Sequence, residues 1–195
     1  LASITAGARL VAGHPRLRTL LAFSWLLGLY VVPEGVAPPY AHSLGAGSAG
    51  IGLLMAAGPA GTALGTYLFL RLVPSESRST WMTALAVVGG LPLVVCWLRP
   101  GIVVSIVLWG ISGAAAAYQV QVVTEYVRAV PDNRRAQAIG VAASGLLAVQ
   151  GVGILLGGMV ASRFGAASAV GLAGAAAAVL AVWFTVLWTR ISRQS

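Results

Sequence analysis

Glu34 is the one charged residue deep inside a long apolar run of this sequence, which makes it the strongest candidate for chemistry. A carboxylate among apolar side chains is costly, so such residues are rare unless they bind a proton or an ion. If the run from Leu20 is helical, a rise of about 1.5 Å per residue places Glu34 about 21 Å along it, inside an apolar layer of about 30 Å. Tyr30, four residues earlier, shares its helical face. The pair therefore predicts a site for a proton, a cation or a solute.

Pro33, Gly35 and Pro38 leave a second interpretation of Glu34 open. Proline lacks the N–H that continues a helix, so in this alternative the helix ends early and Glu34 lies hydrated at the outer edge of the apolar layer. In the first interpretation, Glu34 exchanges a proton or a cation as a cavity opens alternately to the two sides.

A second polar group lies on one helical face farther along the chain: Tyr118, Gln121, Glu125 and Arg128. Their steps of three, four and three residues bring the four side chains to one side of a helix. Polar side chains in contact with lipid would lack hydrogen-bond partners, so this stripe is predicted to face a bundle interior or a wet cavity. Tyr118 and Gln121 are thus predicted to hydrogen-bond a solute.

Glu125 lies at the end of this stripe, and Arg128 and Arg135 are its predicted ion-pair partners. A direct substrate role and a latch that gates the cavity are the alternatives for Glu125. Gln150, in a later run, is either a further cavity residue or a hydrogen-bond bridge between two helices.

Asp132 lies just before a basic pair, Arg134 and Arg135. It is placed to cap the helix that follows and to offset the two positive charges. The two arginines are also predicted to hold anionic lipid headgroups, each contributing about 1 kcal/mol near the surface. With Glu125 and Arg128, these residues form the predicted group of cytoplasmic ion pairs that gate the cavity.

The sequence carries no pattern of metal ligands and no nucleotide-binding loop. Cys96 is the only cysteine and lies in an apolar run, while His14 and His42 flank the first run instead of sharing a face. No Walker-type glycine loop occurs either. The sequence therefore predicts no metal and no cofactor, and a proton gradient is the energy source that Glu34 suggests.

The composition indicates what surrounds these residues. Hydrophobic residues make up 58% of the 195 residues and charged residues 8%, against about 25% charged residues in a soluble domain. This is too little polar surface for a water-soluble globule, so the lipid bilayer is the predicted environment. The arginines do not line one polar face, so nucleic-acid binding is not predicted. Six apolar runs predict spanning helices at 20–40, 49–70, 81–98, 101–126, 136–162 and 166–189.

The arginines predict the orientation in the membrane. If the spans alternate, most arginines fall on one side and only Arg99 and Arg163 lie opposite, so the positive-inside rule places both termini in the cytoplasm. The predicted organisation is the end of a cytoplasmic linker at 1–18, a six-helix domain at 19–190 and a cytoplasmic tail at 191–195. The absence of Lys, with abundant Ala, Gly and Val, favours a bacterial cell membrane. The arginines on the cytoplasmic side are Arg9, Arg16, Arg18, Arg71, Arg78, Arg128, Arg134, Arg135, Arg190 and Arg193.

The second and fifth apolar runs share a spacing of glycine and arginine. Each is the middle helix of a triplet, and small residues four apart let helices approach closely. Two triplets of inverted topology are units from which many transporter folds are built. In a chain with 25 Gly, coincidence is the alternative. The matched residues are Gly61, Gly65 and Arg71 with Gly153, Gly157 and Arg163.

The link at 130–140 and the glycine-rich stretch at 151–158 carry a family resemblance. They are similar to the basic cytoplasmic link and the eleventh helix of major facilitator superfamily transporters, and the chain from about residue 14 onward resembles the C-terminal six-helix half of that family. Residues 32–35, 38–40 and 58–61 are similar to members of actinobacterial type. The family's loop signature is degenerate here, because Gly65 is followed by Phe69 where an Asp is expected.

The resemblance implies helices seven to twelve of a secondary active transporter, whose path is completed by a missing N-terminal six-helix half. It implies alternating access and proton-coupled efflux, by antiport, of a small hydrophobic or drug-like solute. The alternatives are a transmembrane subunit of an ATP-driven exporter and a membrane scaffold that does not transport. The stretch at 110–113 is similar to the nucleophile motif of rhomboid proteases, but no His follows His42 to act as a base. The protein is therefore not predicted to be an enzyme.

Overall fold

The computed structural model describes residues 11–192, and every regular element in that range is a helix. Six helices are long and apolar enough to cross a membrane. The predicted all-helical class and the predicted number of spans are thereby confirmed, and the chain is a multi-pass membrane protein. We number the helices α1 to α6; their bounds are Pro15–Gly35, Ser48–Leu72, Ser75–Leu98, Ile102–Ala129, Asp132–Phe164 and Ala166–Ile191.

Most of the helices extend past the apolar runs that predict them. Pro15 opens α1 at the start of a helix, where a backbone N–H would be unpaired anyway, so residues 15–18 of the predicted linker are helical. Polar residues at helix ends continue the backbone hydrogen bonds without adding hydropathy, which is why hydropathy misplaces these boundaries. The predictions for residues 1–10 and 193–195, with Arg9 and Arg193, lie outside the described residues.

Two turns, at Val31 and Val36, interrupt the first span around Glu34. Each turn is followed by a helical segment whose second residue is proline, Pro33 in one and Pro38 in the other. The missing N–H is tolerated there, at the start of a helix. The chain stays helical beyond the second turn, in Ala37–Ser43. Helical segments therefore continue past these prolines, while the stretch that is long and apolar enough to span a membrane ends at Gly35, one residue after Glu34.

Glycines let α2 pack directly on α4. A Cβ atom at Gly61 would lie 2.0 Å from the carbonyl oxygen of Gly110, and one at Gly65 would lie 2.2 Å from the carbonyl oxygen of Ala114. Both distances are far inside van der Waals contact, so only glycine fits at these two positions. The backbones of α2 and α4 are consequently in contact with no side chain between them.

The same kind of contact joins α5 to α1. A Cβ atom at Gly153 would lie 2.4 Å from the carbonyl oxygen of Gly28, and one at Gly157 would lie 2.5 Å from Cγ1 of Val32. In both helix pairs the two glycines are four residues apart, so one face of each middle helix carries the contact. Glycine is required at Gly153 for the same reason as in α2, whereas the neighbour of Gly157 is a side-chain methyl group.

Two clusters of buried side chains fill the space between the helices. The first surrounds Phe23 and Tyr118, and the second surrounds Tyr40 and Trp109. Helices α5 and α2 contribute least, since 6% and 22% of their most apolar stretches are buried, against at least 33% in the other four. These two helices therefore turn most of their apolar surface outward.

Candidate functional site

A cavity of about 650 Å³ opens among the helices, with walls from α1, α2 and α4 and single residues from α3 and α5. Its volume lies within the range of about 300–1,000 Å³ typical of small-molecule sites. Most of its wall is apolar, including the ring of Trp109. The side chains with polar atoms that line it are Tyr30, Glu34, Thr62, Thr66, Trp109, Ser112, Gln119 and Gln150.

Among the residues that the structure describes, Glu34 is the only one with a formal charge in the cavity wall. Its side chain is half-buried and packs against α2, where a Cβ atom at Gly58 would lie 3.3 Å from Glu34 Oε1. Among residues 11–192, the carboxylate has neither a hydrogen bond nor an ion pair, and no Arg, Lys or His lines the cavity. The structure thus leaves one uncompensated carboxylate in a mostly apolar space, as the first interpretation of Glu34 requires.

Tyr30 lines the cavity one helical turn from Glu34, as predicted, but its hydroxyl is already engaged. The hydroxyl donates a hydrogen bond of 2.6 Å to the carbonyl oxygen of Ala86 on α3. The ring makes an edge-to-face contact with Tyr118, with centroids 6.4 Å apart. Tyr30 therefore contributes an aromatic wall and not a free hydrogen-bond donor.

Gln150 and Gln119 bring amide groups to the cavity. Gln150 is half-buried and has no hydrogen-bond partner within the described part of the chain, so its amide is free for a solute. Gln119 donates from Nε2 to the carbonyl oxygen of Ser24 at 2.8 Å. The prediction that Gln150 lines a cavity agrees with this geometry, whereas Gln119 was missed.

Gln119 was missed because α4 is not one regular helix. A turn at residues 116–117 separates Ile102–Ala115 from Tyr118–Ala129. A spacing pattern read through an irregular turn does not reveal which face of the second segment meets the cavity. The signal that could have found Gln119 is the run of small residues before Tyr118, which favours a local break.

Tyr118 and Gln121 do not lie in the cavity wall, which corrects the prediction that they bind a solute. Tyr118 is fully buried and donates its hydroxyl to the carbonyl oxygen of Phe23 at 3.1 Å. Gln121 is buried and donates from Nε2 to Glu125 Oε1 at 3.0 Å. Both side chains are satisfied within the helix bundle.

Glu125 forms its ion pair with Arg16 of α1, at 2.9 Å between Oε2 and the guanidinium. The predicted partners Arg128 and Arg135 were wrong, because the first turn of α1 lies against the last turns of α4 and reaches Glu125 first. The guanidinium of Arg16 also lies 5.6 Å from the centre of the Trp188 ring on α6. The pair therefore ties together three helices at one end of the bundle.

The coupling between Arg16 and Glu125 is expected to be small and sensitive to salt. The Arg16 side chain is 48% exposed and that of Glu125 16% exposed, and partly exposed pairs contribute about 0.2–1 kcal/mol. A double-mutant cycle with Arg16→Gln and Glu125→Gln, read by thermal unfolding, should show this coupling at low salt and lose most of it at about 1 M salt. A second cycle, with the exposed Arg18→Gln in place of Arg16→Gln, should show no coupling to Glu125. Equal coupling energies in the two cycles would contradict the ion pair between Arg16 and Glu125.

The second ion pair lies at the start of α5. Arg135 contacts Asp132 Oδ1 at 2.5 Å, so Asp132 offsets Arg135 as predicted. Asp132 does not cap the helix, however, because Arg134 occupies the N-cap position and makes no side-chain cap hydrogen bond. Arg128 and Arg134 are exposed and make no ion pair with any residue of 11–192.

Ser112 lines the cavity as part of the protease-like stretch at 110–113. Its hydroxyl donates to the carbonyl oxygen of Gly89 at 2.8 Å. Within residues 11–192, no three His, Cys, Asp or Glu side chains lie together in a way that could hold a metal ion.

Comparison of the chain with family models, curated proteins and solved structures gave no match.

Proposed function

We propose that this chain is half of a secondary active transporter, in which Glu34 exchanges a proton while a small solute occupies the cavity. The observation that carries the proposal is the uncompensated carboxylate in a largely apolar cavity of about 650 Å³. A carboxylate there is costly as a bare anion, so it gains stability when it takes up a proton or meets a cation. A site of this kind, loaded on one side of a membrane and released on the other, couples solute flux to a proton gradient.

The proposal includes two inverted three-helix repeats, as in half of a major facilitator fold. The support is the correspondence between two helix contacts. Gly61 and Gly65 of α2 meet α4, the first helix of the second triplet, while Gly153 and Gly157 of α5 meet α1, the first helix of the first triplet. Each middle helix thus packs on the first helix of the other triplet, through glycines at the same spacing.

A second six-helix half is proposed to complete the path. The cavity is open on one side, and α2 and α5 turn most of their apolar surface away from the other helices. In the proposed transporter, a homologous N-terminal half closes the cavity, and the two halves rock about it to give alternating access. We further propose that the transporter resides in a bacterial cell membrane and exports a hydrophobic or drug-like solute by antiport. No enzymatic activity is proposed.

The rival assignment, a subunit of an ATP-driven exporter, predicts long cytoplasmic extensions of the helices. The links on the proposed cytoplasmic side are short, since α2 ends at Leu72 and α3 begins at Ser75, while α4 ends at Ala129 and α5 begins at Asp132. This geometry favours the secondary transporter.

Flux measurements test the proposed function. The complete polypeptide, with its proposed first half, is reconstituted in liposomes, and a pH gradient is imposed across the bilayer. Neutral, cationic and anionic amphipathic solutes are offered in turn. At least one should accumulate against its gradient and lose that accumulation when an uncoupler removes the proton gradient. If no solute in any charge class responds to the gradient, the proposed function is rejected.

Single cysteines test the proposed orientation. In a Cys96→Ala background, Glu76→Cys and Asn133→Cys lie in the first turns of α3 and α5, at ends proposed to be cytoplasmic, whereas Gly47→Cys lies in a link proposed to be outside. A membrane-impermeant maleimide should label Gly47→Cys in intact cells and label the other two only in inverted vesicles. Labelling of all three from the same side would contradict the alternation of spans.

A further inference from the structure

We propose that the cavity selects a lipophilic organic monocation, whose positive centre pairs with Glu34 and whose apolar body lies against the walls that α1, α2 and α4 provide. The inference rests on the proposed function for its physiological meaning, since it names the class of solute. It is argued from three properties of the cavity: its charge, its hydrogen-bonding capacity and its wall.

The charge of the cavity is opposite to that of the protein. The chain carries a formal net charge of +8 and four acidic residues. Glu125 and Asp132 are paired with arginines, and Glu76 is exposed in the first turn of α3. Of the acidic and basic residues within 11–192, only Glu34 lies in the cavity wall. An anionic solute would meet this carboxylate with no compensating charge, whereas a cation supplies the counter-charge that Glu34 lacks.

The hydrogen-bonding capacity of the cavity is limited because several of its donors are already used, although Nε1 of Trp109 has no partner among residues 11–192. The hydroxyl of Tyr30 donates to Ala86, and that of Ser112 donates to Gly89. Thr62 Oγ1 bonds the carbonyl oxygens of Gly58 and Gly113. A sugar or another polyol needs many free partners to replace its water, and this wall does not provide them.

The rest of the wall favours an apolar body. Leu27, Val31, Leu93 and Ala116 line the cavity together with the ring of Trp109. Gln150, from α5, is the amide without a partner among the described residues, and it can meet one polar group on the solute. A body with few hydrogen-bonding groups and a single positive charge matches the carboxylate and the apolar part of this wall.

Equilibrium binding to the 195-residue chain in phosphatidylcholine nanodiscs tests the inference. The probe is tetraphenylphosphonium, and tetraphenylborate is the control ligand because it has the same shape and the opposite charge. Wild-type protein should bind the cation, and Glu34→Gln should weaken that binding at least tenfold. Glu34→Asp, which keeps the charge, should retain most of it. Glu76→Gln makes the same chemical change outside the cavity and should leave the binding unchanged.

The outcomes separate this inference from the proposed function. Uptake by empty nanodiscs is subtracted for both ions, because tetraphenylborate partitions into phosphatidylcholine more strongly than tetraphenylphosphonium. Equal affinity of wild type and Glu34→Gln for tetraphenylphosphonium, or tighter protein-dependent binding of tetraphenylborate by wild type, overturns the cation class. If the cation is not bound while a neutral solute is driven by the pH gradient, the transporter stands and the solute class is wrong. If the cation binds through Glu34 but no flux follows in the complete polypeptide, the site stands and the transport function is wrong. Thermal unfolding of each variant shows whether it is folded.

Discussion

Glu34→Gln is expected to abolish the dependence of solute flux on the pH gradient while the protein remains folded. Gln has nearly the shape of a protonated Glu but cannot release a proton, so the carrier no longer couples the two movements. Accumulation driven by the gradient should fall to the level of control liposomes, while exchange of solute between equal concentrations continues when those concentrations are high enough to saturate the variant. Flux is measured with the complete polypeptide in liposomes, with and without a pH gradient.

The matched control for this experiment is Glu76→Gln. Glu76 lies exposed in the first turn of α3 and does not line the cavity. It should keep the pH dependence of the wild type. If the flux of Glu34→Gln retains an unchanged pH dependence, Glu34 is not the proton site.

Gly61→Ala is expected to cause a large loss of stability. The added methyl group would lie 2.0 Å from the carbonyl oxygen of Gly110, which belongs to the backbone and has no rotamer to change. Helices α2 and α4 must then move apart, and such overpacking costs about 1–3 kcal/mol or more. Gly153→Ala should have a similar effect on α5, where the methyl group would meet the carbonyl oxygen of Gly28 at 2.4 Å. Unfolding in mixed micelles with increasing sodium dodecyl sulfate measures the loss.

Each of these variants has a control on its own helix. Gly52 on α2 and Gly151 on α5 have no atoms within 4 Å of an added Cβ. Their alanine variants should be neutral or more stable by up to about 1 kcal/mol, since glycine is disfavoured inside a helix. If Gly61→Ala is no less stable than Gly52→Ala, the close contact of α2 with α4 is wrong.

The number of spans could be predicted from the sequence because hydropathy is a local property. About 20 apolar residues in a row have few other stable environments than a bilayer, whatever surrounds them. The cavity positions of Glu34, Tyr30 and Gln150 were also predictable, since a polar side chain in an apolar helix avoids lipid. These predictions required no knowledge of which helices are neighbours.

Properties that depend on neighbouring helices could not be predicted. Glu125 pairs with Arg16, which is 109 residues away in the chain, whereas the spacing pattern offered only nearby arginines. Tyr118 is buried because Phe23 provides an acceptor for its hydroxyl. Local spacing identifies a face of a helix, but it does not identify what that face meets.

The breaks in α1 were predicted only in part. Three prolines mark an irregular helix, and the turns at Val31 and Val36 agree with that pattern. The sequence does not reveal that helical structure resumes at Ala37–Ser43, where Tyr40 is buried with its ring centroid 5.6 Å from that of Trp109.

The glycine contacts restrict the way in which the cavity can change its size. Where backbone meets backbone, no rotamer change can loosen the contact, so we expect α2 with α4, and α5 with α1, to behave as two stiff pairs. Each pair links one triplet to the other, and the cavity lies between the pairs. Its volume then changes when one pair slides past the other as a unit. Bending of single helices contributes little to such a movement, and a cross-link between the pairs would hold the cavity at one size.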